Sequence, residues 1–293
     1  MDRPLLYELV DRPVLEDPVL VVALDGWIDA GFAAATASAH LVALLDPTVV
    51  ARFDVDALID HRSRRPIVHL VEGVNTGLTW PRLELRHGRD ADGRDILLLL
   101  GSEPDVRWRA FTEQVVALVS DLGVRLVVGL GAFPAPVPHT RTLRLASTAT
   151  SPELAARVPV RATLDVPAGV EAALERACAE AGLPAIGLWA QVPHYLVNMT
   201  YPAASAALVD GLADLAGRRL DSTALHEAAT ALRTRVDELV AGNPEHVEMV
   251  EALEASHDED VAAGDAERSG PLPSGDELAA EIERFLREQG GRS

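Results

Sequence analysis

Between Val19 and Leu45 the chain reads VLVVALDGWIDAGFAAATASAHLVALL, and this stretch constrains the fold more than any other. Val19 to Leu24 is a short apolar run with the length and β-branched content of a buried strand. A polar turn follows from Asp25 to Gly31. Beyond it, Ala, Thr, Ser and Leu run without Gly or Pro as far as Pro47, which predicts a helix over 29–45. Strand, glycine-containing turn and helix make the first half of a βαβ unit. Ala33, Ala34, Ala35, Ala37 and Ala39 allow that helix to lie close to a sheet.

Gly26 and Gly31 have the spacing of a phosphate-binding loop, but the chemistry is missing. Such a loop needs Lys followed by Ser or Thr, to reach the phosphates and Mg²⁺. Here Phe32 and Ala33 follow, and the chain contains no Lys at all. Asp25 and Asp29 would repel a polyphosphate. The glycines therefore read as permitting a tight strand-to-helix turn. The absence of Lys also excludes Schiff-base and pyridoxal chemistry through Lys.

The remaining pattern repeats the strand–helix alternation. Strands are predicted at Thr48–Phe53, Ile67–Val71, Leu126–Leu130, Leu143–Ser147 and Ala185–Ala190, with a hairpin over 82–100 turning at Asp92-Gly93. Asp54–Arg65, including the basic cluster His61–Arg65, reads as a solvated loop, and Gly73–Thr79 as loop. Helices are predicted over 107–121, 168–181 and 202–216, with a short one opening at Ser151-Pro152-Glu153. About six strands plus the hairpin, alternating with helices, give an α/β fold: a three-layer α/β/α sandwich with a largely parallel mixed sheet.

Four segments are expected: an α/β core over 1–220, a helical hairpin over 221–256, a flexible acidic linker over 257–275, and a terminal amphipathic helix over 276–293. That last helix opens on the capping box Ser274-x-x-Glu277. Charge marks the same division. The net charge is −19, and residues 221–293 hold 18 acids against 6 Arg. An acidic chain makes nucleic acid and anionic membrane poor partners. No apolar run approaches the ~18–20 residues of a membrane span, no secretory signal is evident, and the lone Cys178 reads as a buried structural thiol, so a reducing cytoplasmic setting is expected.

In parallel sheets, ligands meet the loops at the carboxyl ends of the strands. Those loops carry Asp25, Trp27, Asp29, Ser102, Glu103, His139, Arg141, His194 and Tyr195, and Val-Pro-His occurs twice, at 137–139 and 192–194. Two His, an Arg and carboxylates on one rim would suit acid/base chemistry or anion binding. Equally, Pro-His after a strand simply ends it. No nucleophile elbow is present and no His/Cys spacing suits a metal, so no catalytic residue, cofactor or metal is assigned.

Leu24–Gly31 (LDGWIDAG), Gly129–Pro134 (GLGAFP), Pro138–Arg141 (PHTR) and Val192–Tyr195 (VPHY) together resemble the proteasome assembly chaperone family, second-subunit type, in its actinobacterial branch. The resemblance covers residues 15–220 and extends to the helical C-terminal part. It implies a phosphorylase/hydrolase-like topology, no catalytic activity, self-association (a trimer is the guess) and proteasome subunits as partners. The ending Gly291-Arg292-Ser293 departs from the hydrophobic-Tyr-x tail through which some family members dock. Two functions stay open: a non-enzymatic, oligomeric binding protein, and a small-molecule binder or hydrolase/phosphorylase-like enzyme using His139, Arg141, His194 and Asp29.

Overall fold

A computed structural model describes residues 4–26 and 28–262. In chain order the elements are β1 (Tyr7–Leu9), β2 (Val19–Asp25), α1 (Ala33–Leu45), β3 (Thr48–Phe53), α2 (Val55–Leu58), β4 (Ile67–Val71), β5 (Val74–Thr79), β6 (Leu83–Arg89) and β7 (Asp95–Ser102). There follow α3 (Trp108–Asp121), β8 (Leu126–Ala135), β9 (Leu145–Ala149), α4 (Pro152–Ala155), α5 (Val170–Glu180), β10 (Ala185–Pro193), α6 (Pro202–Ala216), α7 (Thr223–Ala241) and α8 (Pro244–Ala262).

Eight strands form one mixed sheet in the order β1-β3-β6-β7-β2-β8-β10-β9. The central four, β7-β2-β8-β10, run parallel; the pairs outside them run antiparallel. The period-2 alternation of strand side chains divides the interior in two. Val19, Val21, Ile96, Leu98, Val128 and Leu130 face α1 and α6, while Leu20, Val22, Leu97, Leu99 and Val127 face α3 and α5. Because both faces are covered, the central strands are apolar throughout, as the sequence of β2 demands. Cys178 on α5 is buried in the second of these cores. Burial pushes its thiol up to about 12, which suits a structural role.

The structure corrects several boundaries. The helix expected over 29–45 starts at Ala33, because Gly31 and Phe32 both take left-handed backbone. β8 and β10 continue past the expected Leu130 and Ala190, pairing side by side up to Ala135 and Pro193. The strand expected at 143–147 lies at 145–149 and runs antiparallel on the sheet edge. Within the loop expected at 54–65, Asp54 caps the one-turn α2 and Leu58 is buried.

The largest correction is at 67–79. Val74–Thr79 is a strand, not a loop, and it pairs with Ile67–Val71 in a separate two-stranded sheet. The hairpin therefore stands outside the main sheet.

Beyond the core, α7 packs on α6 and α8 packs on α7. The α8 helix runs to Ala262, six residues into the stretch expected as linker. The rest of that linker, the terminal helix over 276–293 and Trp27 lie outside the described residues.

Candidate functional site

On one half of the carboxyl-end rim, Asp25 closes β2 opposite Ser102 of β7. The Asp25 carbonyl accepts from the Glu103 N–H at 2.8 Å and from the Arg64 guanidinium at 2.6 Å. Arg64 also faces Asp105 at 3.6 Å. Gly26 has a φ of 136°, and a Cβ there would lie 2.0 Å from the Arg64 guanidinium nitrogen. Glycine in the LDGW motif thus makes room for a cation arriving from the foot of the β4–β5 hairpin. Burial and the neighbouring Asp29 raise the Asp25 carboxyl above its ordinary value, against the pull of Arg64.

Asp29 and Glu103 serve helices. The Asp29 carboxylate accepts from the N–H groups of Ala34 and Ala35, at 2.8 and 2.9 Å, satisfying donors in the first turn of α1. Glu103 is buried and accepts from the Val170 N–H at 2.5 Å, where α5 begins. Both put a negative charge on the positive end of a helix. The Ser102 N–H bonds the Arg82 carbonyl at 2.8 Å, so Ser102 sits within the sheet ladder.

On the other half of the rim, the segment after β8 turns toward the C-terminal helices. His139 is buried between Tyr195 and α7. Its backbone N–H donates to the Tyr195 hydroxyl at 2.9 Å, its Nδ1 lies 2.7 Å from the same hydroxyl, and its Nε2 lies 3.0 Å from Asp237. A neutral imidazole with its proton on Nε2 satisfies all three contacts: the hydroxyl donates to Nδ1 and the Nε2–H donates to Asp237. Burial pushes the Tyr195 hydroxyl up to about 12, so it stays protonated and able to donate.

Thr140 bonds Glu254 through its hydroxyl, and its carbonyl accepts from Arg233 at 3.1 Å. Arg141 makes a bidentate pair with Asp258 at 2.8 and 2.7 Å and reaches Glu254 at 3.1 Å. Three successive residues of the PHTR motif therefore all engage α7 or α8. His194 does not join them; it is exposed and meets the Tyr195 ring edge-on at 5.4 Å.

The partners Asp237, Glu254, Asp258, Arg233 and Arg64 escape a sequence reading because they lie tens of residues from what they bind. The excess of acid beyond residue 220 was the one signal pointing to Asp237, Glu254 and Asp258.

The GLGAFP motif is explained by packing on the α3/α5 face. A Cβ on Gly131 would lie 2.3 Å from the Trp189 ring, and one on Gly129 would lie 1.7 Å from the Glu171 carboxylate. Trp189 donates to Thr148 at 3.3 Å, and Thr148 donates to Glu175 at 2.6 Å. Glu171 Oε1 is buried without a hydrogen-bond partner. Burial, then Glu175 and Glu103, raise the Glu171 carboxyl well above its ordinary value.

The cleft beside Arg141, bounded by Val137, Pro138, Leu143, Tyr201 and His257, holds about 10 Å³, no more than one water. A depression of about 490 Å³ at Asp105–Ala110 is open and lined by neither His139 nor His194. Small-molecule sites are enclosed clefts of roughly 300–1,000 Å³. Among the described residues no cluster of three His, Cys, Asp or Glu is placed to hold a metal ion, and no helix is long and apolar enough to cross a membrane.

Comparison with known proteins gives a consistent result. The family model for the PAC2 family matches residues 23–240. A Mycobacterium tuberculosis protein, Rv2714, is 38% identical, with 90% of this chain and 94% of that one covered and a TM-score of 0.82. The M. tuberculosis proteasome-assembly chaperone homologue Rv2125 is 35% identical over 79% of this chain and 99% of its own, with a TM-score of 0.74. The archaeal proteasome activator PbaB of Pyrococcus furiosus is 17% identical over 80% and 97%, with a TM-score of 0.59, a likeness of fold alone. No curated protein matches.

Proposed function

The chain belongs to the PAC2 family, and from that premise we propose that it is a non-catalytic, self-associating binding protein of the cytoplasm whose partners are proteasome subunits. The observation that carries this reading is the fate of the rim. Of the four side chains considered for acid/base work, three are committed within the protein, His139 to Asp237 and Tyr195, Arg141 to Asp258, and Asp29 to the start of α1, while the fourth, His194, is exposed. General acids and bases must reach one substrate within hydrogen-bonding distance, and the cleft beside Arg141 offers about 10 Å³. The rim holds accessory elements in place, and recognition falls to the surfaces those elements present. The likeness to Rv2125, a proteasome-assembly chaperone homologue, supports the choice of partner.

The test is purification of the tagged full-length chain from its host, with mass spectrometry of what accompanies it. Precursors of proteasome α- or β-subunits, enriched over mature proteasome, are expected. Recovery of mature proteasome and precursors in the same low amount as a tag-only control overturns the assignment of partner.

A further inference from the structure

Between β7 and α3 the chain builds a recess that the rim chemistry does not use. The depression of about 490 Å³ there is lined by Asp105, Val106, Arg107, Trp108, Arg109 and Ala110. Its walls are held by the core. The Asp105 and Val106 N–H groups donate to the Leu58 carbonyl at 2.9 and 3.3 Å. The Asp105 carboxylate accepts from the Asp60 N–H at 2.8 Å and faces Arg64, so its charge is taken up. The Trp108 indole N–H donates to the Pro104 carbonyl at 2.6 Å, which sets the ring. Val106 is 48% exposed, and Arg107 and Arg109 are exposed on either side of Trp108 in the chain. From Val106 to Thr112 there are two Arg and no acid, in a chain of net charge −19. Apolar side chains beside two guanidinium groups suit an occupant that is itself apolar and acidic.

The same chain carries such a segment. In residues 276–293, expected as a helix, Leu278, Ile282, Phe285 and Leu286 recur at i, i+4, i+7 and i+8, the spacing of one helical face. At about 100° per residue, Glu277, Glu281 and Glu288 fall together along one flank of that stripe. A short helix with one apolar face needs a surface on which to lay it. The reach is sufficient. Residues 263–276 can span roughly 45 Å when extended, and a compact chain of this size has a radius of gyration of only about 18 Å. A tether of this kind holds a segment near its site at an effective concentration on the order of 1 mM, so a modest contact suffices.

We infer that the recess at Asp105–Ala110 is the docking site of the chain's own segment 276–288. The apolar stripe seats on Val106 and Trp108, and Glu277 and Glu281 meet Arg107 and Arg109. The contact lies within one chain and rests on neither the proteasome partner nor the self-association proposed above. While docked, the segment excludes other acidic, apolar ligands from the recess.

Hydrogen exchange on the full chain, read by mass spectrometry, tests it. In the wild type, amides over 276–288 are expected to exchange more slowly than in a free synthetic peptide of that sequence. The recess variant Arg107→Glu/Arg109→Glu and, independently, the tail variant Glu277→Arg/Glu281→Arg are each expected to speed that exchange by about tenfold. Exchange in β2 and β8 should stay unchanged. The tail variant should also speed exchange at 106–111 while altering no residue of the recess, so the site is read even if the recess variant misfolds. Combining the two pairs of substitutions in one chain exchanges the charges and is expected to restore protection.

A wild-type segment that exchanges as fast as the free peptide overturns the inference. So does a segment that stays protected in the recess variant, or a tail variant that frees the segment and leaves 106–111 unchanged. Failure of the combined variant to regain protection overturns the pairing of Glu277 and Glu281 with the two Arg. When the recess and tail variants are co-expressed, each intact tail finds an intact recess only on the other chain. Protection regained in that mixture overturns docking within one chain and places the segment on a second copy.

Discussion

At the scale of single residues, the motifs that look functional are largely spaces cut for a neighbour. Gly131 is glycine because the Trp189 ring lies on it. Gly131→Ala should cost roughly 1–3 kcal/mol by overpacking, read by chemical denaturation. Adding Trp189→Leu should recover part of that cost, since residues in contact couple; equal costs with and without Trp189 would mean the ring is not what the glycine accommodates. Glu171 carries the opposite lesson. A carboxyl raised in the fold holds its proton more tightly folded than unfolded, so its contribution is fully favourable below its ordinary value of 4.5 and is lost as pH rises from there through the folded value. Glu171→Gln keeps the shape and removes the charge. It should raise the melting temperature by several degrees at pH 8 and by little at pH 4. A gain of the same size at both pH values would show that the carboxyl ionises freely in the fold.

At the scale of elements, the C-terminal helices are held at the rim more by polar clamps than by burial. Of the residues in α7 and α8, only Leu225, Val236 and Val250 are buried. The pairing of Asp258 with Arg141 lowers the Asp258 carboxyl to about 2. A depressed carboxyl contributes fully above its ordinary value of 3.8, and that contribution is lost as pH falls toward 2. Arg141→Ala should therefore raise hydrogen exchange in the second half of α8 by about a few-fold at pH 7, the scale of an exposed ion pair, and by progressively less below pH 4, with β2 and β8 unaffected. Exchange that rises equally in the core strands would mean that the extension and the core open as one. These clamps also mark where sequence reading stopped. The α6 helix was legible to its ends, because Pro202 opens it, Gly217 closes it and apolar residues recur along its buried face. Strand β5 was not: Asn75, Thr76 and Gly77 carry a turn-like composition, and its apolar residues find no buried face to signal. Of the candidate site, the sequence offers only positions after strands, and Asp25 and Ser102 do close β2 and β7. The roles of His139 and Arg141 were hidden, because Asp237 and Asp258 lie 98 and 117 residues from them.

At the scale of the whole molecule, one sheet serves two cores, and this determines how the chain fails. β2 sends Val19 and Val21 to one face and Leu20 and Val22 to the other. Loss of either core therefore strips partners from the same central strands, and neither helical layer has a sheet of its own to retreat to. Leu41 on α1 and Phe111 on α3 are both fully buried, on opposite faces. Leu41→Ala should cost about 2–5 kcal/mol and Phe111→Ala about 3–5 kcal/mol. With the sheet between them the two share no cavity, so the double variant should lose close to the sum. Each should shift the same unfolding transition, followed in parallel by far-ultraviolet circular dichroism and by tryptophan fluorescence. Separate transitions for the two variants, or probes that part company, would mean that each face folds with its own helices and that the sheet does not couple them.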